Sequence, residues 1–192
     1  MTDPGNYSTA QNEAKNIDLI LFTHEHQDHL HIESLRKVLE NNPQAKIITN
    51  DSVGKILKAE NLSFETLIHK QSASIKNVLI EGFGDKHAEI YETIPSVQNT
   101  GYFIASRFFY PGDALTNPGK PVEILALPVA GPWLSIKDSL SYAKEIKPKT
   151  CFPVHDGMLK FFGAAHTLPE KIVPSFGSSF FIPKGSEVVE LN

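Results

Sequence analysis

Cysteine is almost missing from this chain of 192 residues, where Cys151 stands alone. A lone thiol excludes an internal disulfide framework, and it fits a reducing, cytoplasmic setting. No apolar run approaches the roughly 20 residues that a membrane-spanning helix needs. Residues 1–15 (MTDPGNYSTAQNEAK) carry neither the basic nor the apolar region of a secretory leader. Repeats, low-complexity tracts and linkers are missing too, so one domain over residues 1–192 is expected. A net charge of −4 with no basic stripe argues against a nucleic-acid surface and leaves a small-molecule partner as the expectation. Self-association stays open.

What remains is the composition of an ordinary globular domain, 41% hydrophobic and 21% charged. Asp3-Pro4-Gly5-Asn6 has turn chemistry. Ile17 to Phe22 reads as a buried strand. Ile32, Leu35, Val38 and Leu39 recur at helical spacing until Asn41-Asn42-Pro43 stops them. A strand at Lys46 to Thr49 follows, then a helix capped by Asp51 or Ser52 and carrying Val53, Ile56 and Leu57. The middle changes rhythm: Leu67-Ile68, Asn77 to Ile80, Gly101 to Ala105 and Arg107 to Tyr110 suggest antiparallel strands without helices between them. Strand, helix, strand returns at Val122–Leu127, Ile136–Ile146 and Thr150–Val154, with a short helix expected over Met158–Ala165 and a closing strand over Ser179–Ile182. The fold class is a layered α/β domain.

One stretch stands apart. Phe22-Thr23-His24-Glu25-His26-Gln27-Asp28-His29-Leu30-His31 holds four histidines and two carboxylates in ten residues, directly after the first strand. Imidazole at that density on a loop leaving a strand end points to a metal site. Such a site needs further ligands from other strand ends. Three turns offer them: Gly84-Asp85-Lys86-His87, Pro111-Gly112-Asp113 and Pro153-Val154-His155-Asp156-Gly157. Histidine and carboxylate donors without thiolate suit zinc, with manganese or iron as alternatives.

With those residues in view, the chain resembles the metallo-β-lactamase-fold hydrolases over nearly its whole length. Asp3, His24-x-His26-x-Asp28-His29, His87, Asp113 and His155 fall in the order of that superfamily's five motifs. The segment ALPVAGPWLSIKDSLSYAKEIKPKTCFPVHDG resembles the branch similar to ascorbate-6-phosphate lactonase. The resemblance implies a four-layer αβ/βα sandwich with the site at one edge. It also implies one metal on His24, His26 and His87, a second on Asp28, His29 and His155, and Asp113 bridging. Departures are present: Leu30-His31 follows His29, and His87 lacks a preceding Thr-Pro-Gly. Both disfavour thioester and acyl-homoserine lactone substrates. Family members carry a strand or hairpin before the first Asp, whereas only Met1-Thr2 precede Asp3 here. The expectation is a short start or a sheet that begins one element late, with an open edge prone to association.

Two metal ions sharing a bridging hydroxide would hydrolyse a small substrate, phosphorylated or lactone, without a serine or cysteine nucleophile. Asp113 would bridge and Asp28 would carry the proton. Cys151 reads as core; Glu25, Gln27 and His31 as neighbours of the site; His69 and His166 as surface. Asp156 either orients a ligand or ends the strand. Lys86, Trp133 and Lys137 sit beside the presumed site, as substrate contacts or as solvated and packing residues, and Phe161-Phe162 read as core of the last helix. The competing functions are an iron-dependent redox enzyme of the persulfide dioxygenase kind, a nuclease or phosphodiesterase, and a binding module.

Overall fold

The computed structural model describes residues 1–184. β1 (Leu19–Leu21), β2 (Lys46–Thr49) and β3 (Glu65–Thr66) form a parallel three-stranded sheet in the order β1-β2-β3. Its crossovers are α1 (Ile32–Asn41) and α2 (Asp51–Ala59). A seven-stranded sheet takes β4 (Ser72–Ile75), β5 (Val78–Phe83), β6 (Gly101–Ile104), β7 (Phe108–Tyr110), β8 (Ile124–Pro128), β9 (Thr150–Val154) and β10 (Ser179–Phe180). Its order is β10-β9-β8-β7-β6-β5-β4, antiparallel from β4 to β7 and parallel from β7 to β10. α3 (Ile136–Ile146) connects β8 to β9, and α4 (Gly163–Ile172) precedes β10.

Side chains alternate across each strand, so one short strand serves two cores. Ile20 and Phe22 meet Leu35 and Val38 of α1 and Val53 and Leu57 of α2. Leu21, between them in sequence, packs with Ile48, Ile80 and Tyr102 in the space between the sheets. Tyr102 and Phe103 split in the same way, because Phe103 joins Phe109, Leu125, Leu127 and Cys151 beneath Tyr142 and Ala143 of α3. Three cores separating four layers are what the expected sandwich requires. Truncating a central side chain such as Leu35 costs about 2–5 kcal/mol.

Helices α1, α2 and α3 start where a side chain satisfies one of their first N–H groups. Asn50 accepts from Val53 N and Ser135 from Asp138 N. α1 uses His31 for this purpose, its side chain accepting from Ser34 N. Among the described residues no helix is long and apolar enough to cross a membrane.

Three expectations need correction, and one strand, β4, was not among those expected. The β1 edge is not open: Thr2 bridges to Leu21 in parallel, Leu21 N donates to Met1 O, and Asp3 N donates to Leu21 O. β4 is hard to see because its apolar face is only Ala73 and Ile75, set between exposed serines on an edge strand. The last helix lies over Gly163–Ile172 rather than Met158–Ala165, and it contains Pro169. Proline disfavours helix in the residue before it, so the sequence there argues against the element that forms. Phe161 and Phe162 consequently precede that helix instead of forming its core face, and they are 87% and 49% exposed.

Candidate metal centre

β1 delivers the histidine loop, and a web of hydrogen bonds fixes its departure. Thr23 is fully buried; its carbonyl accepts from Asn50 Nδ2 at 2.7 Å and from Thr100 N at 2.9 Å. Its N–H and hydroxyl donate to Asp3 at 2.8 and 2.6 Å. The same Asp3 carboxylate lies 2.8 Å from His29 Nδ1, which turns Nε2 of that ring toward the centre. The loop closes through His29 N and Leu30 N, both donating to the His26 carbonyl. Gly5 packs so closely here that a Cβ would sit 1.8 Å from the Asp28 carbonyl oxygen. The Asp-Pro-Gly turn is therefore a wall of the site.

The remaining ligand candidates come from three other strand ends. His87 follows β5, and its Nδ1 lies 2.5 Å from the Ala88 carbonyl, leaving Nε2 free. Asp113 follows β7; Asn99 receives its N–H at 3.0 Å and donates to the Pro111 carbonyl at 2.9 Å. Gly112 between them has φ +66°, and a Cβ there would meet Asn99 and Thr23. His155 follows β9 and itself holds a left-handed φ of 60°.

All seven predicted residues meet. His24, His26 and His87 form one group whose donor atoms lie within 4.8 Å of one another; Asp28, His29 and His155 form a second. Asp113 joins them. Its Oδ2 lies 3.9 Å from His24 Nε2, 3.4 Å from His87 Nε2 and 2.9 Å from His155 Nε2, and its Oδ1 lies 3.1 Å from His29 Nε2. Asp28 Oδ2 sits 3.4 Å from His155 Nε2 and 3.7 Å from His29 Nε2. Yet His29 Nε2, His87 Nε2, His155 Nε2 and Asp113 Oδ1 are buried atoms that complete no hydrogen bond. Buried polar atoms are normally paired. A divalent cation among these atoms would satisfy them together, so the donor set fits a metal centre.

Burial and nearby carboxylates act in opposite balance on the imidazoles of the two groups. Burial, reinforced by the neighbouring rings, pushes His24 and His26 below the usual imidazole value, so both are neutral. Burial opposes the charge on His29 as well, but Asp3 and Asp113 outweigh it and raise this ring to about 10. His155 rises to about 9 against the same opposition, through Asp113 and Asp28. Despite its burial, Asp113 is held well below the usual carboxylate range by His155, His29 and His87. Asp28 is lowered too, by His155 and His29 against partial burial.

Beside the second group opens a cleft of about 320 Å³. Asp28, His29 and His155 face it, with Tyr7, Tyr110 and Met158 among its other walls. Lys137 lies elsewhere, in a groove between α3 and α4 with Leu140 and Ile172. His31 is a helix cap. Asp156 pairs with His166 at 2.6 Å, and Phe162 stacks on that ring. Cys151 is buried, and burial pushes its thiol up to about 12. Thr23 and Asn99 went unnoticed in the sequence. Only their neighbours' chemistry, a strand end before histidines and a Pro-Gly-Asp turn, hinted that something must hold the backbone there.

A family description for the beta-lactamase superfamily domain matches residues 1–155. The protein Rv0786c of Mycobacterium tuberculosis is 30% identical over 166 residues, which is 82% of this chain and 75% of that protein. A crystal structure from Parabacteroides distasonis, described as a metal-dependent hydrolase, superposes with a TM-score of 0.75 at 22% identity, over 94% of this chain and 82% of its own. A metallo hydrolase from the archaeon Ignicoccus hospitalis gives a TM-score of 0.69 at 17% identity, over 91% and 80%. At those identities the two structures establish the shared fold.

Proposed function

This chain belongs to the beta-lactamase superfamily, and from that premise we propose that it is a dinuclear metallo-hydrolase acting on a small ester or lactone. The carrying observation is the convergence of buried, unpaired donor atoms from four strand ends on Asp113. His24, His26 and His87 would hold one ion, Asp28, His29 and His155 the other, and Asp113 would bridge. The nitrogen-rich donor set favours zinc. Bound there, two divalent ions would supply Lewis acidity toward the scissile oxygen and a shared water acidic enough to act as hydroxide near neutral pH.

The chain's own residues supply the rest. Asp28, the only one of the two metal-facing aspartates that borders the cleft, is placed to hold the proton delivered to the leaving group. Asp113 stays buried and ionised, which suits a bridge and not a proton carrier. Asp3 keeps His29 oriented. The described residues lining the cleft include Asp3, Asp28 and Asp156 and no lysine or arginine. An ester or lactone with no second anionic group reaching those walls therefore fits best.

Metal analysis of protein purified without added metal, followed by a screen of lactones, carboxylic esters and phosphodiesters, tests the reading. Two ions per chain and lactone or ester turnover that disappears in Asp113→Ala are expected. Less than one ion per chain, or unchanged turnover in that variant, removes the proposal.

A further inference from the structure

The sole tryptophan of the chain, Trp133, lies on the segment between β8 and α3, outside every predicted ligand motif. Its indole Nε1–H donates to Asp113 Oδ2 at 2.8 Å. That oxygen is the one facing both His87 and His155. The ring meets His87 edge-on at 5.9 Å and 73°, and His155 at 5.9 Å and 76°. It thus stands between imidazoles from two groups and holds the carboxylate they share. The backbone is shaped to permit this. Gly131 has φ +142°, and a Cβ on it would lie 2.9 Å from the indole nitrogen and 3.3 Å from the His155 ring. A tryptophan present only as packing would have no reason to spend its single donor on this carboxylate oxygen, or to need a glycine two residues earlier.

We infer that Trp133 is a positioning residue of the metal centre, whose indole N–H fixes the orientation of the bridging carboxylate of Asp113 for both half-sites. The inference rests on the dinuclear reading above. A hydrogen bond from a neutral donor to a buried carboxylate is strengthened by the charge, and losing such an outer partner of a ligand typically lowers metal affinity about 10–100-fold. Because no other tryptophan contributes, the emission of the protein reports directly on this contact.

Cobalt(II), a visible-absorbing probe, is titrated into metal-free protein while emission and absorption are followed. Wild-type emission should be quenched in step with binding and level off at about two equivalents. Trp133→Phe keeps the aromatic wedge and loses the donor. It should bind at least one cobalt about tenfold or more weakly, with an altered visible spectrum. Trp133→Gln, which keeps an N–H donor, should recover part of the affinity. Gly131→Ala retains the tryptophan while crowding its nitrogen and should weaken binding as well, so the idea stays testable should Trp133→Phe fail to fold. Wild-type protein that binds no cobalt overturns the dinuclear reading itself. Two cobalts bound with unchanged emission, or with equal affinity and spectrum in Trp133→Phe, overturn the role of Trp133 alone.

Discussion

The two halves of the centre are made from the same loop yet stand in opposite states. The half built on His24, His26 and His87 has three imidazoles, two of them held neutral by burial. The half built on Asp28, His29 and His155 contains a carboxylate, and its imidazoles are held charged by Asp3, Asp28 and Asp113. A neutral imidazole is ready to ligate; an imidazolium must first give up a proton. The first half is therefore prepared for a cation, while a cation entering the second has protons to displace.

Removing the shared member should abolish the contrast altogether. Asp113→Ala should bind neither ion well and lose about a thousandfold or more in turnover, checked by metal analysis beside steady-state kinetics. His26→Ala should break one half only, leaving about one ion per chain by the same analysis. Asp3→Asn acts on the other half through His29. It should weaken the second equivalent about 10–100-fold and the first less, because Asp3 also receives the Thr23 N–H and hydroxyl just ahead of His24, seen as two separated steps in calorimetric titration. The proton difference gives a gentler handle. His29 and His155, raised to about 10 and about 9, hold their protons below those values, so metal binding there must displace them. Affinity for the second equivalent should rise by up to about tenfold per pH unit per displaced proton between about pH 6 and about pH 9, more steeply than for the first, where His24 and His26 are held below the usual imidazole value. Parallel slopes would remove the distinction. The smallest effect is expected outside both halves: His166→Ala, which breaks the pair with Asp156, should cost about 1 kcal/mol of stability by denaturant unfolding and leave metal stoichiometry alone.

Much of this centre could be read from the chain because each ligand follows a strand, and short apolar runs announce strands. His24, His87, Asp113 and His155 each lie past such a run. The spacing of α1, α2 and α3 was equally plain, since their apolar positions recur with the helical period. The supports were harder to see. Asn99 and Thr23 act through backbone groups brought close only by the fold, and no local pattern marks a side chain whose partner is 14 or 20 residues away. Trp133 was noticed as a neighbour, but its hydrogen bond to Asp113 is a tertiary fact. α4 was misplaced because Pro169 contradicts the helix it sits in, and tertiary packing around this buried proline overrides the local preference. His31, read as a neighbour of the site and not a ligand, caps α1.

The solitary Cys151 has a consequence for the chemistry of the whole centre. Its thiol is buried in the core beneath α3, and every candidate donor at the metal site is nitrogen or oxygen. Thiol-directed reagents and disulfide-forming oxidants thus find neither a ligand to attack nor a second sulfur to couple. The described donor set offers an oxidant no sulfur ligand. A cysteine introduced at exposed Phe161 would be the one readily addressable thiol on the molecule, a handle for a label that leaves the ligands untouched.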